Sequence, residues 1–417
     1  MTARPDTNFQ EIGFKEFVSM IALVMAVNAL AIDTMLPALP EIGDAIGIAT
    51  ESGRQWIVTS YLLGFGGAQL IFGTLSDRFG RKPILLLGLA GYFVFSVMSA
   101  LAGSFESMMV ARVAQGICAA ATRVLAISIV RDRFAGRQMA RVMSLVFIVF
   151  LAVPIIAPSL GQLIMVFFPW RWIFGLLGLY SAVVFAWVML RLPETIHPED
   201  RMPISLEAIG RAVRLTLTNR FAVGYMTAVT FMFGGMFGYL NSAQQIFADV
   251  FQVPKLFPSI FALIAGALGV ASLVNSRIVE RVGMRVVSHT ALCAYLGVAA
   301  LHLGVAFLGF ETIWTFVILQ AAMMFCFGLM GANFNALAME PLGHVAGTAS
   351  SIQGFVTTTF GATLGFIVGQ QFNGSTVPLT MGFLGLGLIA LLAVVVTEKG
   401  KLFRPSPVNA AMAAADH

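Results

Sequence analysis

The stretch GTLSDRFGRKP, residues 73–83, lies between two long apolar runs at 55–76 and 83–103. Each run is long enough to cross a bilayer as a helix, which takes about twenty apolar residues. Charged residues are costly in hydrocarbon, so Asp77 and the basic residues that follow it mark a short turn outside the membrane between two spanning helices. Gly80 permits the tight turn that such a short connection needs.

Apolar runs of this kind make up most of the chain. Of its 417 residues 58% are hydrophobic and only 11% are charged, whereas a soluble protein has about 25% charged residues. This composition argues against a cytosolic enzyme, a nucleic-acid binder and a disordered chain, and the continuous runs argue against an outer-membrane barrel, whose spans would alternate. We predict an all-α membrane protein with twelve transmembrane helices, at 17–39, 55–76, 83–103, 107–130, 141–166, 170–190, 220–242, 256–278, 286–308, 313–339, 346–370 and 376–396.

The positions of Lys and Arg predict the orientation in the membrane. Twenty of the 25 basic residues fall on one side of the predicted spans, and only Arg54, Arg171 and Lys255 fall on the other. Basic residues are retained on the cytoplasmic side, so both termini are expected in the cytoplasm of a multi-pass protein of the inner (cytoplasmic) membrane. The same asymmetry accounts for the net charge of +5 without an anionic partner.

One long polar connection, 191–219, divides the chain. We predict an N-terminal six-helix half at 1–190, a cytoplasmic loop at 191–219, a C-terminal six-helix half at 220–396 and a cytoplasmic tail at 397–417. A weak repeat supports two fused halves, because SRIVERVGMR at 276–285 corresponds to residues 73–82. The aligned pairs are Asp77 with Glu280, Arg78 with Arg281, Gly80 with Gly283 and Lys82 with Arg285. Paired halves are typical of secondary transporters that bind substrate near the midplane.

Four motifs carry a resemblance to a known family. Residues 73–83 resemble the loop signature of the major facilitator superfamily between spans 2 and 3. AIDTMLP at 31–37, RVAQG at 112–116 and AGTASS at 346–351 are similar to motifs of its twelve-span drug:proton antiporter family, particularly the bicyclomycin-resistance-like branch. The resemblance implies the major facilitator fold and proton-coupled multidrug efflux. In span 5 the family's Gly-Pro-x-x-Gly-Gly signature reads APSLGQ at 157–162, so only half of it is retained.

The loop signature and its repeat predict a gate on the cytoplasmic side. Ion pairs and helix-end contacts there can hold the halves together in one state and release them in another. The alternative is that the basic residues only anchor the topology. The candidate gating residues are Gly73, Asp77, Arg78, Gly80, Arg81, Glu280 and Arg281.

Charged residues within the spans are functional candidates, because a charge at the bilayer centre costs at least about 2.5–3.5 kcal/mol. Asp33 lies about six residues before span 1 ends, and Arg112 about six residues after span 4 begins on the same side, so the two lie at matching depth. We predict that this acid and this arginine couple transport to protons, since a conformational change that alters their separation or hydration alters proton binding. The alternative is a fixed buried ion pair that sets helix register.

Arg123 follows Arg112 by eleven residues and therefore lies on the same face of span 4, about three turns nearer the cytoplasm. Two arginines against one acid favour neutral or anionic compounds at the site. The alternative is that Arg123 extends toward the helix ends. His302 is expected to be a packing histidine and Glu340 a helix-end charge.

Uncharged polar residues in the spans are further candidates for substrate binding, together with Asp33 and Arg123. The alternative for each of them is a hydrogen bond to a neighbouring helix, which suits the residue equally well. They are Tyr61, Tyr239, Asn241, Gln244, Asn333 and Asn335.

The sequence contains no P-loop, nucleophile elbow, metal-ligand spacing or catalytic carboxylate pair. We therefore expect no enzyme activity, no catalytic residues, no cofactor, no metal and no nucleic-acid partner. The leading hypothesis is a monomeric proton-coupled exporter, with a small molecule, protons and the lipid bilayer as its partners. A proton symporter that imports a small metabolite is the first alternative, and a transporter-like sensor or channel is the second.

Overall fold

A computed structural model describes residues 12–48, 50, 52–134, 136–196, 199, 201 and 206–404. These residues form helices and turns, and no strand occurs among them. The α-helices of this part of the chain are α1 (Phe14–Asp33), α2 (Leu39–Ala45), α3 (Trp56–Phe79), α4 (Arg81–Leu101), α5 (Phe105–Arg133), α6 (Gly136–Phe167), α7 (Arg171–Arg191), α8 (Leu206–Thr218), α9 (Arg220–Gln245), α10 (Phe257–Val282), α11 (Met284–Phe307), α12 (Ile313–Met339), α13 (Ala346–Gln370) and α14 (Val377–Thr397).

Short helices of other types connect several of these. The 3₁₀-helices are Leu36–Ala38, Ser52–Gln55, Pro254–Leu256 and Glu340–Val345, and Ile246–Val250 is π-helical.

Eleven helical segments within the described residues are long and apolar enough to cross a membrane. The predicted span at 141–166 falls in α6, whose Ala152–Phe167 part is a shorter apolar helix. Pro154 and Pro158 lie inside α6, each removing one backbone hydrogen bond from it. The predicted fold class, an all-α membrane protein, is therefore confirmed.

The two turns of the weak repeat share one backbone conformation. Gly80 has φ 104° between α3 and α4, and Gly283 has φ 91° between α10 and α11. A residue with a Cβ rarely adopts such angles, so glycine is required where each pair of helices reverses direction. The alignment of Gly80 with Gly283 thus corresponds to an equivalence in structure.

The chain forms two compact units. The first comprises Met1–Ala38 and Gly64–Ser205, and the second comprises Leu39–Leu63 and Leu206–His417. Helix α3 contributes to both, because its first two turns pack in the second unit. The halves predicted at 1–190 and 220–396 are therefore close to these units but not identical with them.

Within the first unit α4 packs against α5 and α7, and α1 packs against α6. Within the second unit α9 packs against α13 and α14, and α12 packs against α10 and α11. The predicted loop 191–219 contains α8, which contacts α9 and α13.

Candidate functional site

The helix that carries Asp33 ends at this residue. Pro37 lacks an N–H, so the carbonyl of Asp33, four residues earlier, cannot receive its helical hydrogen bond. The chain continues through Thr34 and Met35 into the 3₁₀-helix Leu36–Ala38, and the Ala38 N–H donates to Met35 O at 2.9 Å. Span 1 is therefore interrupted directly after its only acidic residue inside the membrane.

Arg112 holds the interrupted end of α1. Its side chain is fully buried, and Nη2 donates to the backbone oxygen of Ala31 at 3.2 Å. The last carbonyls of a helix have no helical partner, and a cation beside them also interacts favourably with the helix dipole. Arg112 of α5 thus stabilises the end of α1 two residues before Asp33.

A chain of hydrogen bonds fixes the other side of the Arg112 guanidinium. Nη1 donates to Gln115 Oε1 at 2.6 Å, and Gln115 Nε2 donates to Ser96 Oγ at 2.7 Å. Ser96 Oγ donates in turn to the carbonyl of Tyr92 at 2.7 Å. The ring of Phe174 lies 5.7 Å from Arg112 Cζ. Arg112 therefore has its position set by α1, α4, α5 and α7 together.

Asp33 itself is buried, with 5% of its surface exposed. In the described part of the chain it forms no ion pair, and Arg112 reaches the Ala31 backbone rather than the Asp33 carboxylate. Arg112 thus contacts the backbone two residues before Asp33, and a fixed Asp33–Arg112 salt bridge is not formed among these residues. A buried carboxyl beside a helix break is suited to binding and releasing a proton.

Gly161, the glycine retained from the span 5 signature, packs against this helix break. A Cβ at Gly161 would collide with the carbonyl oxygen of Thr34 and would lie 3.2 Å from the Pro37 ring. Helix α6 can approach the chain next to Asp33 only because residue 161 has no side chain. Gly161, one of the residues retained from the signature, therefore contacts the chain directly after Asp33.

Arg123 is half-buried on α5. Its Cζ lies 6.0 Å from the centre of the Phe65 ring, and it forms no ion pair with any carboxylate of the described residues. The neighbouring Thr122 Oγ1 accepts a hydrogen bond from Asn28 Nδ2 of α1 at 3.3 Å. Arg123 thus belongs to the same unit as Asp33 and Arg112, and it contributes a positive charge that no acid of this part of the chain offsets.

Two of the uncharged candidates bond neighbouring helices in the second unit. Asn333 Nδ2 donates to Asn275 Oδ1 of α10 at 2.7 Å. Asn335 Oδ1 accepts from Gln353 Nε2 of α13 at 2.7 Å. Asn333 and Asn335 thus hydrogen-bond neighbouring helices, which was the alternative to substrate binding for these residues.

The other uncharged candidates also belong to the second unit. The Tyr239 ring stacks on Phe261 with centroids 5.8 Å apart, and Tyr61 is fully buried. Asn241 is buried, and neither its amide nitrogen nor its amide oxygen has a hydrogen-bond partner among the described residues. Gln244 is buried one turn later. The amide of Asn241 is therefore available for another partner.

A cluster of glutamines was not predicted from the sequence. Gln55 Nε2 donates to Gln245 Oε1 and to the carbonyl of Gly369, both at 3.0 Å, and Gln55 is buried. Gln370 Nε2 donates to the carbonyl of Ser52 at 2.6 Å. These bonds join the start of α3 to the ends of α9 and α13. Amides at the ends of apolar helices are the only signal of this cluster in the sequence.

In the loop signature, Arg81 forms the ion pairs. It is buried, with Nη1 2.5 Å from Asp77 Oδ1 and Nε 2.9 Å from Asp132 Oδ2 at the end of α5. Arg78 is exposed and lies 5.3 Å from the ring of Phe79, the next residue. Of the basic residues predicted to form the gate, Arg81 therefore has the contacts that link helices.

Glu194, which follows α7, binds the turn at Gly80. Its carboxylate accepts from the backbone N–H groups of Arg81 at 2.8 Å and Lys82 at 3.3 Å, the start of α4. A Cβ at Gly80 would collide with the same carboxylate. An acid at a helix N-terminus is favourable, so Glu194 is a further member of this cluster that the sequence analysis did not identify.

The second unit has a related cluster, but it is centred on Arg285. Arg285 Nη2 lies 3.2 Å from Glu340 Oε2, and Nε lies 3.0 Å from Glu398 Oε1. Glu340 is thus a helix-end charge, and it is paired. The predicted gating residues Glu280 and Arg281 are exposed and form no ion pair within the described residues.

His302 is fully buried, and its Nε2 lies 2.7 Å from Glu311 Oε1. The other carboxylate oxygen of Glu311 accepts from Thr376 Oγ1 just before α14. His302 therefore joins α11 to the beginnings of α12 and α14.

Comparisons with known proteins identify the family and the fold. A sequence model of the Major Facilitator Superfamily matches residues 21–366. The bicyclomycin resistance protein homolog of Haemophilus influenzae is 31% identical over 374 residues, which cover 88% of this chain and 92% of that protein. The chloramphenicol resistance protein of Pseudomonas aeruginosa is 30% identical over 335 residues, covering 78% of this chain and 76% of that protein. The xylose transporter XylE from E. coli, in a partially occluded inward open conformation, superposes with a TM-score of 0.70 at 14% identity, over 92% of this chain and 97% of that chain.

Proposed function

The chain belongs to the Major Facilitator Superfamily, and from this premise we propose that it is a proton-coupled exporter of small amphipathic drugs or toxic compounds. The observation that carries the proposal is the position of Asp33, a buried acid at the end of α1. Arg112 stabilises this helix end through its hydrogen bond to the Ala31 carbonyl. Export is supported by the names of the relatives, which refer to resistance to bicyclomycin and to chloramphenicol.

In the proposed mechanism Asp33 carries the proton. A charged carboxylate buried among apolar helices is costly, so its proton affinity depends on how far the site is open to water. The break after Asp33 allows the segment at Thr34–Ala38 to move relative to α1, which alters that access. Gly161 packs against this segment, so a movement of α6 would be transmitted to Asp33.

Arg112 serves this mechanism as a positioning residue. Arginine keeps its charge at physiological pH. Here the guanidinium donates hydrogen bonds to the Ala31 carbonyl and to the side chain of Gln115. Asp33 can therefore gain or lose a proton without breaking a direct salt bridge. Arg112 then holds the backbone beside Asp33 in place whether or not the carboxyl carries its proton.

Alternating access requires gates at both ends of the transport path. We assign the outer gate to the Gln55 cluster and the cytoplasmic gate to the clusters around Arg81 and Arg285. The outer contacts are hydrogen bonds between uncharged amides. Such bonds contribute about 0.5–1.5 kcal/mol each, so a cluster of them can close and reopen during turnover.

Arg123 favours neutral or anionic substrates. It is half-buried beside the Phe65 ring, without an acidic partner in the described part of the chain. A cationic drug near this arginine would be repelled, whereas a neutral aromatic compound could stack beside Phe65 and an anion could pair with the guanidinium. The protein is proposed to act as a monomer in the inner membrane, with both termini in the cytoplasm.

Transport by everted membrane vesicles tests the proposal. Chloramphenicol serves as the neutral probe, and an anionic and a cationic dye complete the panel. An exporter that exchanges substrate for protons accumulates the probe in everted vesicles whose lumen is acidic, and it loses this accumulation when an uncoupler removes the gradient. Accumulation in right-side-out vesicles whose external medium is more acidic than the lumen would instead assign the chain to proton-coupled uptake.

A further inference from the structure

A groove lies on the surface of the second unit. None of its lining residues belongs to the proposed gates, although one of them, Thr397, directly precedes Glu398 of the Arg285 cluster. The groove is open to the outside and has a volume of about 450 Å³. Its walls are the first two turns of α9 and the last turns of α14, and the end of α8 completes it. The residues that define it are Leu217, Arg220, Val223, Thr227, Leu392 and Ala393.

The walls of the groove are apolar and open to the surroundings. Leu217 is 53% exposed, Leu392 62% and Val396 63%. Both α9 and α14 are long and apolar enough to span the membrane, so we expect lipid chains around Leu392 and Val396 of α14. A cleft in such a surface must be filled by hydrocarbon, because it offers water few polar partners.

Basic residues lie at the end of the groove where α8 meets α9. Arg220 lines the groove, is exposed, and lies with its Cζ 4.7 Å from the Phe221 ring. Arg214 on α8 is also exposed. Neither arginine has a carboxylate partner in the described ranges, whereas Arg211 pairs with Glu207 at 2.8 Å. The apolar groove therefore ends at Arg220, and Arg214 lies three residues before the lining residue Leu217, on the same face of α8.

Helix α8 is strongly amphipathic, and Arg211 and Arg214 are exposed on it. Short basic amphipathic helices of this kind lie in the plane of the membrane interface, where lipid phosphates are found. Leu217, at the end of α8, lines the groove. The helix thus connects the level of the headgroups with the level of the acyl chains.

We propose that this groove binds one anionic phospholipid, with an acyl chain along α9 and α14 and the phosphate at Arg220 and Arg214. The apolar walls of the groove match the acyl chain of such a lipid, and the basic end of the groove matches its phosphate. Arginine is well suited to phosphate, because its planar fork donates two parallel hydrogen bonds. This lipid site is independent of the proposed direction of transport and of its substrate.

Native mass spectrometry of the full chain released from micelles tests the site with two probes, phosphatidylglycerol and phosphatidylcholine. The wild type is expected to retain one phosphatidylglycerol in preference to phosphatidylcholine. Arg220→Gln should lower the retention of phosphatidylglycerol about fivefold and leave phosphatidylcholine unchanged, as expected for one basic residue at an anionic membrane surface. Ala393→Trp, which fills the groove, should lower the retention of both lipids.

Two matched variants control for general effects. Arg171→Gln removes another exposed arginine that is the first residue of a spanning helix and lies 4.4 Å from the adjacent Trp170 ring. Ala300→Trp adds the same bulk to an exposed position of α11. Both controls should bind lipid as the wild type does, which also excludes a loss of folding.

The proposal is overturned if the wild type holds neither lipid, or if Arg220→Gln leaves the preference for phosphatidylglycerol unchanged. It is also overturned if Ala393→Trp retains as much lipid as Ala300→Trp. A dimer that only Ala393→Trp dissociates would assign the groove to a second copy of the chain instead.

Discussion

Arg112 Nη2 donates to the backbone oxygen of Ala31 at 3.2 Å, and this bond fixes the end of α1 beside Asp33. The arginine thus acts on the backbone that carries the acid. Its other contact, with Gln115 at 2.6 Å, belongs to a network that reaches α4. The position of Asp33 therefore depends on the packing of several helices, as a proton site coupled to conformational change requires.

Arg112→Gln should change the pH dependence of transport for every substrate and reduce its rate about tenfold, or about 1.4 kcal/mol. The reason is that the substitution removes the positive guanidinium and its hydrogen bond to the Ala31 carbonyl, which fixes the backbone beside Asp33. The measurement is the initial rate of transport in vesicles as a function of pH. Arg123→Gln is the matched control, and it should shift the preference from anions toward cations while the pH profile stays unchanged. An unaltered profile in Arg112→Gln would contradict the role of Arg112.

Gly161→Ala should destabilise the protein by about 1–3 kcal/mol and slow transport, because the new methyl group collides with the Thr34 carbonyl. Thermal unfolding in detergent and vesicle transport measure the two effects. Gly175→Ala is the control on α7, where a Cβ meets only Trp172 at 3.7 Å. Equal stability and activity of the two variants would show that the contact between α6 and the Asp33 region is not required.

Arg81→Ala should lower stability by about 2 kcal/mol, because it removes charged hydrogen bonds to Asp77 and Asp132 from a buried position. Arg78→Ala should stay within about 0.5 kcal/mol of the wild type, since Arg78 is exposed. Distance labelling at the cytoplasmic ends should report a larger shift toward open forms in Arg81→Ala. A larger shift in Arg78→Ala would mean that the contacts of Arg81 do not form the gate.

Gln55→Ala should open the outer side, because Gln55 bonds both Gln245 and the Gly369 carbonyl. Each lost amide bond is worth about 1 kcal/mol, so the open population should rise about fivefold or more. Reaction of a cysteine placed at Ser52 with a membrane-impermeant reagent measures this change. Gln371→Ala, an exposed neighbour of Gln370, should leave the reaction rate unchanged. Equal rates in both variants would exclude the cluster as a gate.

Much of the fold could be predicted from the sequence, because spanning helices and charged turns have strong local patterns. The turn at Gly80 and its repeat at Gly283 were identified in this way, and so was the family resemblance, which the match over residues 21–366 confirms. The matching depth of Asp33 and Arg112, which helix rise alone predicts, stays a prediction.

The partners within the site could not be predicted, because they depend on how helices pack. Arg112 bonds a backbone oxygen that any residue provides, so no pattern identifies Ala31. Arg81 rather than Arg78 faces Asp132, which lies about fifty residues away in the sequence. The Gln55 cluster joins residues more than 300 positions apart, and their amides have no distinctive spacing. Glu340, expected as a helix-end charge, proved to pair with Arg285.

The central claim is that Asp33 carries the transported proton. The most direct measurement is proton-driven accumulation of chloramphenicol by purified Asp33→Asn in proteoliposomes, with substrate counterflow measured in parallel. Asparagine keeps the volume of the side chain but does not titrate, so counterflow should persist while accumulation driven by the proton gradient is abolished. Accumulation by Asp33→Asn at the wild-type rate would contradict the assignment.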